Sequence, residues 1–229
     1  VTTPEHEPNP WAMNLVVLRD RHHPARRVDA AEAAARAVAT LLDDPRATGD
    51  GPWAPAVRHW EDARIRKIVR RADGKRWTDV QVVPGVTVVQ PSPRPDHGDA
   101  AVRALLPGPV DAQDRLVDRL QIAGTHLPDA GPTASHDAVV TIEVNPDVEM
   151  TTGKLCAQCG HAAQLALRAL QGGGAADART LERWRTDGFR VRVVVPDPAT
   201  WRGAHRPVEV VDAGFTEFDR PTPTTRACW

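Results

Sequence analysis

Residues 150–170 read MTTGKLCAQCGHAAQLALRAL, and what this stretch follows decides the fold. Ahead of it stand the β-branched run Val139, Val140, Ile142 and Val144 and a turn through Asn145, Pro146 and Asp147. Thr151 or Thr152 is placed to cap a helix, because a hydroxyl there accepts an N–H that the first turn leaves unpaired. Most of the residues that follow are small (Cys156, Ala157, Cys159, Gly160, Ala162, Ala163, Ala166), so the predicted helix can lie close against a sheet. Lys154, Gln158 and His161 fall at i, i+4 and i+7 and share one face near the helix start. The positive dipole end and the Lys154 ammonium together suit an anion, whether a phosphate or a developing oxyanion. On spacing alone a solvated lysine and two ordinary polar side chains account for the pattern equally well. Cys156 and Cys159 form a C-x-x-C, which raises a redox or zinc reading. Two thiols and one histidine do not complete a tetrahedral site, and two small buried thiols are the better reading.

Bulk properties exclude several classes. The chain has 229 residues, 41% hydrophobic and 26% charged, normal for a globular protein. Its formal net charge of -1 gives no global pull towards nucleic acid, so any basic surface must be local. Three cysteines make no disulfide framework and fit a reduced, cytoplasmic setting. No apolar run approaches the ~18 residues that a membrane span needs. Residues 1–10 are polar and proline-rich, lack the apolar stretch of a secretory signal, and read as a disordered leader.

From the N-terminus, a strand is expected over 14–18 and a polar turn with His22 and His23 after it. Asp29 opens an alanine-rich helix over 30–42, and a second helix over 57–62 is anchored by Trp60. Strands follow at 64–69, 80–83, 86–89 and 102–106, with turns at Asp73-Gly74 and Pro84-Gly85. Residues 112–123 read as an amphipathic helix and 124–137 as a linker. Beyond the quoted stretch, Gly172 to Gly174 end the helix, and a further helix covers 177–186. Strands are expected at 189–195, 208–211, 215–218 and 224–229, with a loop over 196–207. The strand at 208–211 delivers Asp212 at its end.

Written this way the halves resemble each other. Trp60 and Trp184, like Trp77 and Trp201, stand 124 positions apart, since 184 − 60 and 201 − 77 agree. The two alanine-rich helices match at an offset of 125, pairing Ala30 with Leu155 and Leu42 with Leu167. The expectation is two tandem α/β units, each a roughly four-stranded mixed sheet flanked by helices: a degenerate unit over 12–110, a helix and linker over 111–137, and a site-bearing unit over 138–229. At that offset Lys154 faces Asp29, Gln158 faces Ala33 and His161 faces Arg36. Asp212 faces the Pro84-Gly85 turn and Thr216 faces Thr87, so the first copy keeps the fold signals and loses the polar set.

TGKLCAQCGHA, followed in the same unit by VVDAGFTEF and a threonine-bearing last strand, resembles the type II peptidyl-tRNA hydrolase family. That family carries a G-K-x-A-A-Q-x-x-H-A helix start, a D-A-G-x-T turn and a P-G-T-x-T segment, and the resemblance spans residues 139–229. Cys156 stands where alanine is usual, and the segment from Asp219 to Thr224 departs from the last motif. The resemblance implies a small mixed sheet flanked by helices, often a homodimer. It implies hydrolysis of the ester between peptide and tRNA with neither metal nor organic cofactor. Carried over by motif position, Lys154, Asp212 and Thr216 would be catalytic, and Gln158, His161 and Thr224 would bind substrate. The tandem units would pack as an internal pseudo-dimer, with tRNA as partner. The run Arg58, Arg64, Arg66, Lys67, Arg70, Arg71, Lys75 and Arg76 reads either as a phosphate-binding patch or as charge guarding a sheet edge. A non-catalytic tRNA- or protein-binding module derived from the hydrolase is the alternative reading.

Overall fold

The computed structural model describes residues 10–63, 65–213 and 217–229. The first unit runs β1 (Trp11–Leu18), α1 (Arg27–Asp43), α2 (Ala54–Asp62), β2 (Lys67–Ala72), α3 (Gly74–Val80), β3 (Gly85–Gln90) and β4 (Ala100–Leu105). A two-residue β5 (Gly108–Pro109) and a single turn, α4 (Arg115–Asp118), lead out of it. The second unit runs β6 (Val140–Val144), α5 (Thr152–Gly172), α6 (Ala175–Thr186), β7 (Val191–Val194), α7 (Pro198–Gly203), β8 (Val208–Asp212) and β9 (Thr222–Cys228). The sheets have strand orders β2-β1-β4-β3, with β5 added to β1, and β7-β6-β9-β8. In each, the first two strands of the unit are parallel and the other pairings antiparallel. The fold is thus mixed α/β with two sheets of one topology, as the repeat predicts.

The match extends to single residues. Leu15 lies between Val69 and Ala104, as Ile142 lies between Val193 and Ala227. Trp60 and Trp184 are fully buried, and each indole N–H donates to a carbonyl six residues on, that of Arg66 at 3.1 Å and that of Arg190 at 2.8 Å. Arg103 and Arg226 hold equivalent places on β4 and β9. Arg103 donates to the Gln81 and Val83 carbonyls, Arg226 to those of Trp201 and Ala204. Each buried guanidinium ties the connection before an edge strand to the sheet and satisfies carbonyls that would otherwise be stranded.

Helices α1 and α5 lie side by side at the centre, sheet one against α1 and sheet two against α5. Their shared seam is built from Ala, Cys and Gly, so one continuous apolar core runs through both units. A Cβ on Gly160 would stand 3.1 Å from Val38 Cγ2 and 3.3 Å from Lys67 Cδ, so the missing side chain sets how closely the halves meet. Each central helix also reaches the edge strand of the other sheet, α1 touching β7 and α5 touching β2. At the rim of the seam Asp43 pairs with Arg185 at 2.7 Å and Glu61 with Arg168 at 2.8 Å. These two pairs join equivalent positions with the charges exchanged.

Several expectations are corrected. The strand expected over 80–83 does not form: Val80 is the last residue of α3 and packs inward, while Val82 is exposed. The apolar spacing there is that of a helical turn followed by a bend. The helix expected over 112–123 shrinks to one turn, capped by Asp114. Its apolar residues Val117 and Leu120 are claimed by a separate small core with Val16, Ala72, Val80 and Leu105, and Gln121 pairs with Arg71 in a β-bridge. The expected loop over 196–207 contains α7, which Asp197 caps. Of the strand expected over 215–218, residues 215 and 216 lie outside the described residues, and 217–218 are not strand. The alignment of Asp212 is corrected by the register. Thr87 pairs with Arg103 as Glu209 pairs with Arg226, so Gln90 is the counterpart of Asp212 and Glu209 that of Thr87. No helix among the described residues is long and apolar enough to cross a membrane.

Candidate active site

Helix α5 begins at the rim of a cleft. Thr151 is its N-cap, accepting the Lys154 backbone N–H at 3.2 Å, and its own hydroxyl donates to Glu217 at 2.6 Å. One turn in, the Lys154 ammonium meets Asp212 Oδ2 at 2.5 Å and stands 5.2 Å from the centre of the Phe218 ring. The pair is largely shielded, with side chains 9% and 12% exposed. One further turn along, Gln158 Nε2 donates to the same Asp212 oxygen at 2.9 Å. The Thr224 hydroxyl donates to Gln158 Oε1 at 2.7 Å, and the Thr225 hydroxyl to the Gln158 carbonyl at 3.2 Å. A chain of contacts therefore fixes the carboxylate: Thr224 sets the Gln158 amide, and the amide and Lys154 set Asp212.

A β-bulge makes this possible. Register between β8 and β9 shifts between Val210 and Val211, so that Thr224 is the extra residue on β9. A bulge re-aims a side chain and bends its strand. The Thr224 carbonyl accepts from Asn145 N at 2.9 Å while its hydroxyl reaches α5. The β3–β4 pairing is regular throughout, so the first unit has no equivalent.

Lys154, Gln158, His161 and Asp212 line one cleft of about 900 Å³. Its opposite wall comes from the first unit and the connection: Ile65 to Val69 at the foot of β2, and residues 122–126. Three of the large apolar side chains exposed on the surface, Ile122, Leu165 and Val211, stand on its walls. The cleft thus offers a polar end around Asp212 and an apolar rim.

Of the six residues singled out in the sequence, the structure brings four to the cleft. Thr224, expected to bind substrate, is completely buried and touches the cleft only through Gln158. Thr216 lies outside the described residues. Lys67, Glu217, Phe218 and the 122–126 wall carried no signal in the reading of the second unit. Lys67 stood only within a basic run, and its place against α5 is set by packing between units. That run does not form one surface. Arg70 is buried against Asn14 and the Leu120 carbonyl, Lys75 pairs with Asp79, and Arg71 binds Gln121. Lys67, Arg70 and Arg71 lie on β2, an edge strand, while Arg58 stands on α2 and Lys75 and Arg76 on α3.

Cys156 and Cys159 are buried in the central seam, and desolvation pushes the Cys156 thiol up to about 12 and that of Cys159 well above its ordinary value. Thiols so held are poor nucleophiles and poor metal ligands. Among the described residues, no cluster of three or more His, Cys, Asp or Glu could hold a metal ion.

In the first unit the place of Asp212 is filled by the buried Gln90. Gln90 donates to Glu32 at 3.2 Å and to the Ser135 hydroxyl at 3.3 Å, and accepts from Arg36 at 2.6 Å. Glu32, buried, also accepts from Thr133, from Ser135 and from the Val193 backbone N–H. Thr133 and Ser135 of the connection thus bury Glu32 and Gln90, and the cleft that opens beside the start of α1, about 880 Å³ and lined by Arg27 and Val28, does not reach Gln90.

No curated protein and no solved structure matches the chain. A family match covers β6, α5, α6 and β7, and with them Lys154, Gln158 and His161; Asp212 and Thr224 fall beyond it. Residues 138–199 match the family model described as Peptidyl-tRNA hydrolase PTH2, and the C-terminal half therefore carries a type II peptidyl-tRNA hydrolase-like region.

Proposed function

We propose that the chain hydrolyses the ester joining a peptide to the 3′ end of tRNA, with the cleft around Lys154 and Asp212 as its active site. The observation that carries this reading is the 2.5 Å Lys154–Asp212 pair set on the wall of a cleft shared with Gln158 and His161. Ester hydrolysis needs an attacking water, a place for the charge of the tetrahedral intermediate and a hold on the RNA end. Asp212, held by Lys154 and Gln158, accepts a proton as water attacks the ester carbonyl carbon. The Lys154 ammonium and the N–H groups of the first turn of α5 face the developing oxyanion. The carbon–oxygen bond to the ribose then breaks, and the proton passes to the departing 3′ oxygen. Thr216, next in the D-A-G-x-T turn, belongs to the same catalytic set by its motif position, and Thr224 serves through Gln158. The reading requires neither metal nor cofactor.

The boundaries 12–110 and 138–229 are proposed as the two copies of a duplicated unit, packed as an internal pseudo-dimer in a monomeric chain. The shared strand order, and the shared register of the pairs up to the bulge in β9, support this. The test is release of labelled peptide from peptidyl-tRNA by purified protein, with Asp212→Asn as control. Release by the wild type that the substitution abolishes is the expected result. Binding of peptidyl-tRNA with no release would replace this reading by the non-catalytic binding module, and neither binding nor release would overturn both.

A further inference from the structure

Lys67 enters β2 from the first unit and crosses to α5 of the second. Its ammonium lies 3.1 Å from His161 Nδ1, 2.5 Å from Gln164 Oε1 and 4.8 Å from the centre of the Trp60 ring. The orientation of the Gln164 amide is fixed, because its Nε2 donates to Glu61 at 2.9 Å and Glu61 is clamped by Arg168. Lys67 therefore faces an amide oxygen and must donate to it. An ammonium has only donors to offer, so His161 Nδ1 accepts and the ring keeps its proton on Nε2. Three features of the first unit set this geometry: the Trp60 face under the ammonium, the Arg66 carbonyl that anchors Trp60, and Glu61. Gly160 adds a fourth from the second, leaving room for the Lys67 stem.

We propose that Lys67 is a positioning residue that the N-terminal unit supplies to the cleft, holding His161 neutral with its Nε2–H available to the ester substrate's RNA or peptide carbonyl and hydroxyl oxygens. This rests on the hydrolase reading for the substrate, while the state of His161 stands apart from it. Around His161 stand Lys67 from β2, Lys154 and Gln164 on its own helix, Glu61 from α2 behind Gln164 and Asp212 from β8 behind Lys154, and the cleft it lines also carries Arg66, His126, Glu209 and Glu217. Burial first, then the two lysines, hold the His161 pKa well below 6.5. Burial does the same to Lys67, whose pKa lies well below 10.5, with Glu61 opposing. The first unit is then not merely a worn copy, because the site is incomplete without its edge strand.

The decisive measurement is the nitrogen-15 NMR titration of His161 in the full chain. In the wild type, the Nε2–H tautomer is expected to persist to a pH well under 6.5. In Lys67→Met, whose side chain keeps the stem and removes the charge, the His161 midpoint should rise and the tautomer preference should weaken. Lys67→Arg should restore part of the wild-type behaviour. Lys67→Ala, which removes the same charge with a shorter stem, gives a second route should Lys67→Met fold poorly. A His161 titration and tautomer unchanged in folded Lys67→Met, or in folded Lys67→Ala if the first does not fold, would overturn the proposal. On peptidyl-tRNA, Lys67→Met is expected to lose about tenfold to a hundredfold in kcat/KM at neutral pH and to shift the acid limb of the pH profile. A chain that showed the NMR effect but hydrolysed no peptidyl-tRNA would overturn the hydrolase reading and leave the placement of Lys67 standing.

Discussion

The end of β3 and the end of β8 occupy the same place in two sheets of the same topology, yet one is sealed and the other is open. Gln90 stands on β3, bonded to Glu32, Arg36 and Ser135; Asp212 stands on β8, bonded to Lys154 and Gln158 at the side of a cleft. The strand order is shared, so topology does not make the difference. Three local changes do: a carboxylate for a carboxamide, one extra residue in β9 that turns Thr224 onto Gln158, and residues Thr133 and Ser135 of the connection, which close over Glu32 beside Gln90. Scaffold and chemistry are therefore separable in this molecule, and substitutions at matched positions test how cleanly.

The largest contrast is expected at the strand ends. Lys154→Ala and Asp212→Asn should each lower peptide release by about a hundredfold or more, as loss of an acid–base group or an oxyanion partner does. Gln90→Ala should leave release nearly unchanged. Equal losses in steady-state assays of the three would erase the distinction between the units.

Next comes the seal. Glu32→Ala removes the acceptor for Thr133, Ser135, Gln90 and the Val193 N–H, and is expected to cost about 3 kcal/mol in urea unfolding. It should also raise amide exchange over residues 133–135. Gly160→Ala tests the seam from the other side. The added methyl meets Val38 and the Lys67 stem, and a loss of about 1–3 kcal/mol in unfolding free energy is expected from overpacking. Full stability in that variant would mean the halves can move apart at no cost.

The matched tryptophans give a finer comparison. Trp60→Phe and Trp184→Phe each remove one indole hydrogen bond and should cost about 1 kcal/mol in denaturant unfolding. Only Trp60→Phe should also disturb the cleft, because Lys67 rests on that ring alone.

The smallest effect is in pH. Because burial and two lysines hold His161 below its ordinary 6.5, the unfolded chain takes up a proton under that pH which the folded chain refuses. Stability falls as pH drops below 6.5 for this reason, and His161→Gln removes the contribution. The stability deficit of His161→Gln relative to wild type should therefore be largest near neutral pH and shrink on acidification. A deficit that grew in acid would show that the histidine is protonated in the folded state.

Much of this was legible in residue order. The lean helix, its threonine cap and the i, i+4, i+7 set needed only periodicity, and the paired tryptophans announced the repeat because each anchors the same turn. What stayed hidden depends on long-range competition. Val117 and Leu120 carry helical spacing, but a neighbouring apolar face captures them and the segment unwinds after one turn. Gln90 was missed as the partner of Asp212 because a bulge and differing loop lengths shift the linear alignment, and only hydrogen-bonded register reveals it. Lys67 lay in a run of arginines, where no local pattern separates a residue that crosses to another helix from those that face outward.

The exchanged ion pairs at the rim of the seam have a consequence for assembly. Asp43 and Glu61 are both on the N-terminal half, and Arg168 and Arg185 both on the C-terminal half. Two N-terminal halves docked in this geometry would set acid against acid, and two C-terminal halves would set guanidinium against guanidinium. At this rim the charges therefore favour the union of unlike halves over that of like ones. Complementarity of this kind asks the two halves to differ, not to match.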